Sequence, residues 1–483
     1  MKTIIKKLLQ FCCISAFALM SSNSYAQESE DTLTPAVARN SFDLEALKRI
    51  KVSGYIQSQY QVADSAGQAS FAGGNFNPGV DKRLMVRRGR IKFQYDAVPN
   101  EKGISTSQYV LQFDVTEKGV AIKDAYGKLT DKWIGWVSLT AGMQNRPFGY
   151  EISYSSSQRE SPERGRMSQI IFPGERDLGA MITLQGPKTS SWNWLKLDAG
   201  FFNGTGARGP SLDASDWDKK KDFIGRLGIS KSTPSEKIKY GVGVSYYAGG
   251  VRQDKAISYK YGTDSLGTKG FIIDVDSSKV ATQISARKSL DRTAIGFDAQ
   301  FSIDWLPGIT TLRAEYIQGL QPATSGSTAS LVAAPSPSTK PKTVIVLDTL
   351  GNPYPITIGT TIIDAGSIYS RNFNGAYFYF LQNIMQTPLQ LIVKYDWYDP
   401  NTDVKGDEIG KAVKSTKSIP AIATGVADIR YDTWGFGLAY RFDANIKITA
   451  YYDMVKNETS QNLPGYTKDL KDNVFTLRLQ AKF

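Results

Sequence analysis

The chain has 483 residues, with 58 Lys and Arg against 46 Asp and Glu, no His, and two Cys, Cys12 and Cys13. Both cysteines fall in an N-terminal leader, so the chain beyond the leader has neither thiol nor imidazole; disulfides, thiolate chemistry, imidazole metal sites and His-based acid–base catalysis are excluded. The leader carries three lysines and no acids, which leaves 55 cations against 46 carboxylates, and that net +9 suits anionic solutes or anionic lipid rather than nucleic acid.

The predicted elements begin with that leader. Lys2, Lys6 and Lys7 form a basic start, residues 8–20 an apolar core, and Ser24-Tyr25-Ala26 a small-x-small cleavage site, so residues 1–26 read as a secretory signal. The apolar core is too short to span a membrane as a helix. Residues 27–49 are expected to be a periplasmic segment, polar to residue 41 and with one short helix over 42–50. From residue 50 onward no run of 18 apolar residues occurs, yet alternation of apolar and polar residues is widespread, the period of a strand with two unlike faces.

Sixteen such segments succeed one another: 50–63, 83–97, 105–117, 120–131, 133–143, 177–187, 193–203, 222–231, 236–248, 291–305, 308–320, 372–385, 388–398, 429–442, 445–457 and 472–483. Several exceed the roughly 9–11 residues that a tilted strand needs to cross a bilayer. The connections sharpen the picture. After even-numbered segments they are short, as at 131–132, 232–235 and 443–445. After odd-numbered segments all but one, at 118–119, are long, as at 144–176, 249–290 and 321–371. A soluble propeller also has many even-spaced strands, but it would not make loop length alternate with strand parity. The pattern predicts an all-β, sixteen-stranded antiparallel transmembrane β-barrel over residues 50–483, with short periplasmic turns and long outer loops. In the last segment Phe475, Leu477, Leu479 and Phe483 are expected to face lipid, and Thr476, Arg478 and Gln480 the lumen. A final strand ending in Phe resembles the assembly signal of Gram-negative outer-membrane barrels, which makes membrane lipid, lipopolysaccharide and the barrel assembly machinery the expected partners. The aromatic runs 377–380 and 397–398 are expected at strand ends, and residues 323–342 form a low-complexity outer loop.

A barrel of this size leaves an aqueous channel, so its lining carries the function. The second segment contains MVRRGRIKF, residues 85–93. With Ile91 and Phe93 outward, parity turns Arg88, Arg90 and Lys92 inward, whereas cations on the lipid face would cost about 2–4 kcal/mol each near the midplane. Arg87 has the wrong parity, and a bulge at Gly89 is expected to bring it inward. Arginine predominates over lysine there, and the guanidinium fork suits oxyanions. The loop over 144–176 holds Arg146, Arg159, Arg164, Arg166 and Arg176 among four glutamates, and in sixteen-stranded porins the equivalent loop folds inward and narrows the pore.

Residues 86–96 (VRRGRIKFQYD), 112–129 (QFDVTEKGVAIKDAYGKL), 141–166 (AGMQNRPFGYE…SPERGR) and 174–182 (GERDLGAMI) resemble the phosphate-selective porin O/P family. The resemblance implies a homotrimeric outer-membrane channel in a Gram-negative bacterium, with arginines guiding small inorganic anions to a central site of Arg, Lys and Asp. By motif, Arg87-Arg88 match ladder arginines, Asp124 in KDAY the site aspartate, and Arg164 a site arginine on the constriction loop. One position departs: Ile152 stands where phosphate-selective members carry a lysine, which weakens phosphate selectivity but leaves the arginines. The expected function is a passive porin with anion preference, phosphate being the candidate solute. The alternative is a general or sugar-preferring porin. No enzymatic activity, cofactor or metal site is expected.

Overall fold

The computed structural model describes residues 48–204, 206, 220–252, 257–264, 267–276, 289–324, 326, 338–347, 353–363, 368–413 and 423–483. The expected signal and nearly all of the N-terminal segment, with most of its short helix, lie outside these residues; Lys48 and Arg49 form a turn and Ile50 opens a strand.

Strands β1 (Ile50–Ala63), β2 (Lys82–Asp96), β3 (Ser107–Thr116), β4 (Gly119–Thr130), β5 (Val137–Asn145), β6 (Arg176–Gln185), β7 (Leu195–Phe202), β8 (Asp222–Ser232) and β9 (Ile238–Arg252) pair in antiparallel succession. Two loop strands come next, β10 (Ile257–Thr263) and β11 (Lys269–Asp276), and then β12 (Ser289–Trp305) and β13 (Gly308–Ala323). After them lie β14 (Ser338–Leu347) and β15 (Pro353–Ile363), then β16 (Ile368–Asn383), β17 (Leu389–Asp399), β18 (Tyr431–Arg441), β19 (Ile446–Asn457) and β20 (Val474–Lys482). β9 pairs with β12 and β13 with β16, and the antiparallel order runs on to β20, which pairs with β1 from Tyr55↔Lys482 to Ala63↔Val474. Sixteen strands thus form a closed ring. Closure satisfies every strand edge, which an open sheet could not do.

Alternation decides the two faces. On β20, Phe475, Leu477 and Leu479 are exposed while Thr476, Arg478 and Gln480 are buried, and β9, β13, β16 and β17 show the same inversion. Apolar residues outside and polar residues inside is the reverse of a soluble core. Tyr377 and Tyr379 are buried inside the middle of β16 and Phe378 and Phe380 point outward, so this aromatic run is not at a strand end as expected.

Three features depart from the sequence pattern. The turn before β5 is six residues, not two, because the Asp131 carboxylate accepts N–H bonds from Trp133, Ile134, Gly135 and Val137 at 2.9–3.2 Å and delays the strand to Val137. Burial raises its pKa and these donors lower it, leaving it at about 2. The loop after β9 carries the β10–β11 hairpin, which joins the ring sheet by a short parallel pairing of Ser258–Lys260 with Ile368–Ser370. The long loop after β13 carries β14 and β15, which among the described strands pair only with each other, so the stretch expected to be low-complexity loop is strand from Ser338 on.

Between β5 and β6 the chain enters the barrel. A six-residue helix, α1 (Arg166–Ile171), buries Met167, Ser168, Ile170 and Ile171. With Phe148, Ile152 and Phe172 of the same loop these pack on the inward side chains Phe202, Ile224, Tyr247, Ile317, Tyr377 and Tyr451. Each such fully buried side chain contributes about 1.5–3 kcal/mol. The loop therefore has its own core, built against the barrel wall.

Candidate functional site

The inward loop is fixed by polar contacts to residues of inward parity. Ser245 accepts from the Gly149 N–H at 2.9 Å, and the Glu315 carboxylate accepts from the N–H groups of Tyr150 and Glu151, each at 3.0 Å. Asp396 accepts from the Arg166 N–H at 3.0 Å, Arg313 grips Glu160 at 2.7 Å, and Gln57 donates to the Ser156 carbonyl at 2.9 Å. These anchors lie on β1, β9, β13 and β17. Gly149 has φ +62°, and a Cβ there would overlap the Glu315 carboxylate, so only glycine lets the loop tip seat.

Two bulges lie opposite this loop. In the β1–β2 ladder Gln57 faces Arg88 and Ser58 faces Val86, which leaves Arg87 as the extra residue. The bulge expected at Gly89 is thus two residues earlier. Gly89 serves another purpose: a Cβ there would overlap the Val115 carbonyl. Because Arg87 is the bulged residue, neighbouring Arg87 and Arg88 turn to the same side. Both bind Glu163, at 2.9 and 2.7 Å, and Arg478 joins them at 2.8 Å. Burial raises the Glu163 pKa, but the three guanidiniums hold it well below the usual carboxylate range. The second bulge, in the β3–β4 ladder, leaves Lys123 unpaired beside Asp124. Lys123 shares its surroundings with Arg90, Asp114, Glu175 and Arg176.

The structure brings Asp124 and Arg164 together through a chain of charges. Arg176 binds Asp124 at 3.0 Å and also binds Glu175, which in turn binds Arg164. Burial raises the Glu175 pKa, and Arg164 and Arg176 pull it well below the usual range. Arg90 binds Asp114 at 3.1 Å. Arg90, Asp124, Arg164 and Arg176 border a cavity of about 460 Å³ between the loop and the wall of β1–β7. Its cations are Arg90, Lys92, Lys128, Arg164, Arg176 and Lys196; its carboxylate among the described residues is Asp124. Lys128, Thr183 and Gln185 are shared with a wider cavity of about 940 Å³ at the short-turn rim, where Lys188, Lys231 and Lys239 stand against Glu236. The two cavities adjoin along the β2–β9 side of the barrel, and cations outnumber carboxylates in the lining of each.

Other residues singled out in the sequence lie elsewhere. Arg87 and Arg88 are tied into the Glu163 cluster and border neither cavity. Arg146 is buried, donating to the Pro173 carbonyl at 3.1 Å, with its guanidinium 5.1 Å from the Phe172 ring. Arg166 is packed between Phe71 and Tyr431, at 4.5 and 3.8 Å. Arg159 is buried within the loop. Ile152 is wholly buried in the loop's core and offers the cavity no charge. The lysines Lys123, Lys128, Lys196 and Lys231 were not singled out by sequence; inward parity was the available signal for Lys128 and Lys196, and none was available for the bulged Lys123.

The closed ring and inward loop define the class as a porin-like β-barrel. No family model matches the sequence, and no curated protein matches it. Among solved structures, the trimer form of OmpT from Vibrio cholerae aligns at 10% identity over 90% of this chain and 99% of that one, with a TM-score of 0.44. The outer-membrane channel DcaP of Acinetobacter baumannii aligns at 10% identity over 90% and 97%, TM-score 0.47. OmpF of Salmonella typhi, in complex with daunomycin, aligns at 9% identity over 90% and 97%, TM-score 0.44. The fold assignment rests on the strand connectivity itself.

Proposed function

We propose that the chain is a passive diffusion channel of a Gram-negative outer membrane, with a preference for small inorganic anions. The observation that carries this is the charge of the path: six cations border the narrower cavity, against one carboxylate in its lining and three more, Asp114, Glu175 and Asp198, that pair with those cations from outside it. A solute crossing there sheds part of its hydration, and fixed positive charge in a confined, low-dielectric setting favours anions entering and disfavours cations. Arg90, Lys92, Arg164, Arg176 and Asp124 form the central stretch, with Asp124 setting the geometry of Arg176 rather than repelling the solute. Arg87, Arg88, Arg146, Arg159 and Arg166 act in the second rank, through the field and through the loop's position. The exposed band that includes Val242, Phe301, Leu312, Phe380 and Leu477 supports contact with lipid. Assembly as a homotrimer, with lipopolysaccharide on the outer rim, belongs to the same proposal. No catalytic residue or cofactor is needed.

Phosphate is the candidate solute, by resemblance; the buried Ile152 counts against a dedicated phosphate site. A second reading, a general or sugar-preferring porin, is favoured by Tyr55, Tyr126 and Tyr154 on the same cavity wall. Reversal potentials across planar bilayers in a KCl gradient separate the two. Anion preference is expected. A cation preference, or none, would reject it, and titrating phosphate against chloride current then tests the solute.

A further inference from the structure

We infer that Arg159 holds a resident monovalent inorganic anion, of the chloride or bromide kind, within the inward loop and outside the permeation path. Arg159 is 3% exposed, and its Nε and both Nη atoms are buried with no hydrogen-bond or ion-pair partner among the described residues. A guanidinium has five N–H donors and a charge that does not titrate away, so leaving all of it unmatched in a buried place is costly. The carboxylates nearest it, Glu163 and Glu151, attract it but spend their hydrogen bonds on other groups. Arg88 and Arg164 lie close enough to push against it. The carboxylate of Glu163 is already shared by Arg87, Arg88 and Arg478. The Glu151 carboxylate accepts from the Gly165 N–H at 3.1 Å and from the Tyr379 hydroxyl at 3.4 Å. A further cation approaches as well: Lys447 donates its Nζ to the Arg159 carbonyl at 3.0 Å.

The unmatched charge defines the ligand. Arg87, Arg88, Arg478 and Lys447 stand with Arg159 against Glu163 and Glu151, so positive charge is in surplus there. An anion reduces that surplus, whereas water would satisfy donors but not charge. A singly charged ion suits so enclosed a place, because a doubly charged oxyanion would have to be stripped of a tighter hydration shell. The site differs in kind from the cavity arginines. Arg90, Arg164 and Arg176 border open space and are paired with carboxylates, while Arg159 borders neither described cavity. The ion held there is a structural counterion that sets the loop against the wall, and it does not depend on which ion the channel prefers.

The test uses the intact barrel in detergent. Crystals grown in bromide, with data collected at the bromine edge, are expected to show an anomalous peak within hydrogen-bonding distance of the Arg159 guanidinium. Thermal unfolding at matched ionic strength is expected to give a higher, saturable melting temperature in chloride than in gluconate. That difference should disappear in Arg159→Gln and persist in Lys196→Gln, which removes a cavity cation instead. Absence of the bromide peak, with water on the guanidinium, overturns the inference even if the variant fails to fold. So does an Arg159→Gln barrel that keeps the chloride dependence. A cation-preferring channel that still shows the peak would reject the proposed selectivity and leave the resident anion standing.

Discussion

Glu163→Gln removes the one charge that three guanidiniums share, two of them, Arg88 and Arg478, buried. The wild-type carboxylate accepts hydrogen bonds from Arg87 at 2.9 and 3.1 Å, from Arg88 at 2.7 and 3.2 Å, and from Arg478 at 2.8 Å. The amide keeps the size but turns an NH₂ group toward N–H donors, and it leaves Arg88 and Arg478 buried without a counter-charge. Removing one partner of a buried ion pair costs about 3–5 kcal/mol, chiefly because the remaining charge is stranded. Part of this is recovered if the loop shifts and admits water, so the expected loss is in that range and not a threefold multiple of it. The assay is urea unfolding of the purified barrel in lipid or detergent, followed by tryptophan fluorescence, with the denaturant slope compared between variants. Glu236→Gln is the control: Glu236 is exposed and sits 3.9 Å from Lys239, so its loss should stay within about 0.5 kcal/mol. A Glu163→Gln loss below about 1 kcal/mol, the range of an exposed pair, would refute the reasoning that this carboxylate clamps the loop to β2 and β20.

Gly149→Ala forces a left-handed residue worth about 1–2 kcal/mol of strain and drives a Cβ into the Glu315 carboxylate; the loop tip should unseat, with larger and noisier single-channel conductance, and an unchanged trace would count against the tip's anchoring. Replacing Lys92, Lys128 and Lys231 together by Gln removes three cations of the open path without touching the Glu163 cluster; the reversal potential should move toward zero at unchanged unfolding midpoint, and a constant potential would remove the lysines from the selectivity argument. Asp131 titrates at about 2 in the folded chain, below an unfolded aspartate at about 3.9. Its stabilisation is therefore fully present above the unfolded value and is lost as pH falls through about 2; hydrogen exchange at the Gly135 and Val137 amides should keep its protection at pH 5 and lose it near pH 2, whereas loss already near pH 5 would contradict the assignment.

The ring was legible because period two and loop-length parity are local and repeat sixteen times. The direction of the second strand's charge was legible for the same reason: Arg90 and Lys92 border the cavity as parity requires. The bulge was legible in kind, from the clash between Arg87's parity and its chemistry, but not in position, because Gly89 is set by close approach to Val115 and not by the bulge. The Asp131 turn was missed because apolar Trp133, Ile134 and Trp136 imitate a strand while the carboxylate winds them into a turn. What sequence could not supply was partnership. Glu163 meets Arg478 across 315 positions of chain, and nothing local distinguishes the arginines that border open space from those buried in the loop's core. The parallel contact of β10 with β16 has the same origin, since it is fixed by packing of Tyr259 on Tyr369 rather than by its own pattern.

The loop is bolted to one side of the ring and stands away from the other. Substitutions on β13, β16, β17, β19 and β20 that face inward meet the loop and are felt as stability. Substitutions at cavity-lining positions of β3–β7, such as Gln112, Lys128 and Lys196, meet open space and are felt as a change in what passes, whereas Phe202 and Ile224 meet the loop. The barrel wall is thus divided into a foundation and a filter. Selection acting on the solute can rewrite the filter residue by residue while the foundation keeps the aperture, and an engineer can retune the channel by the same route.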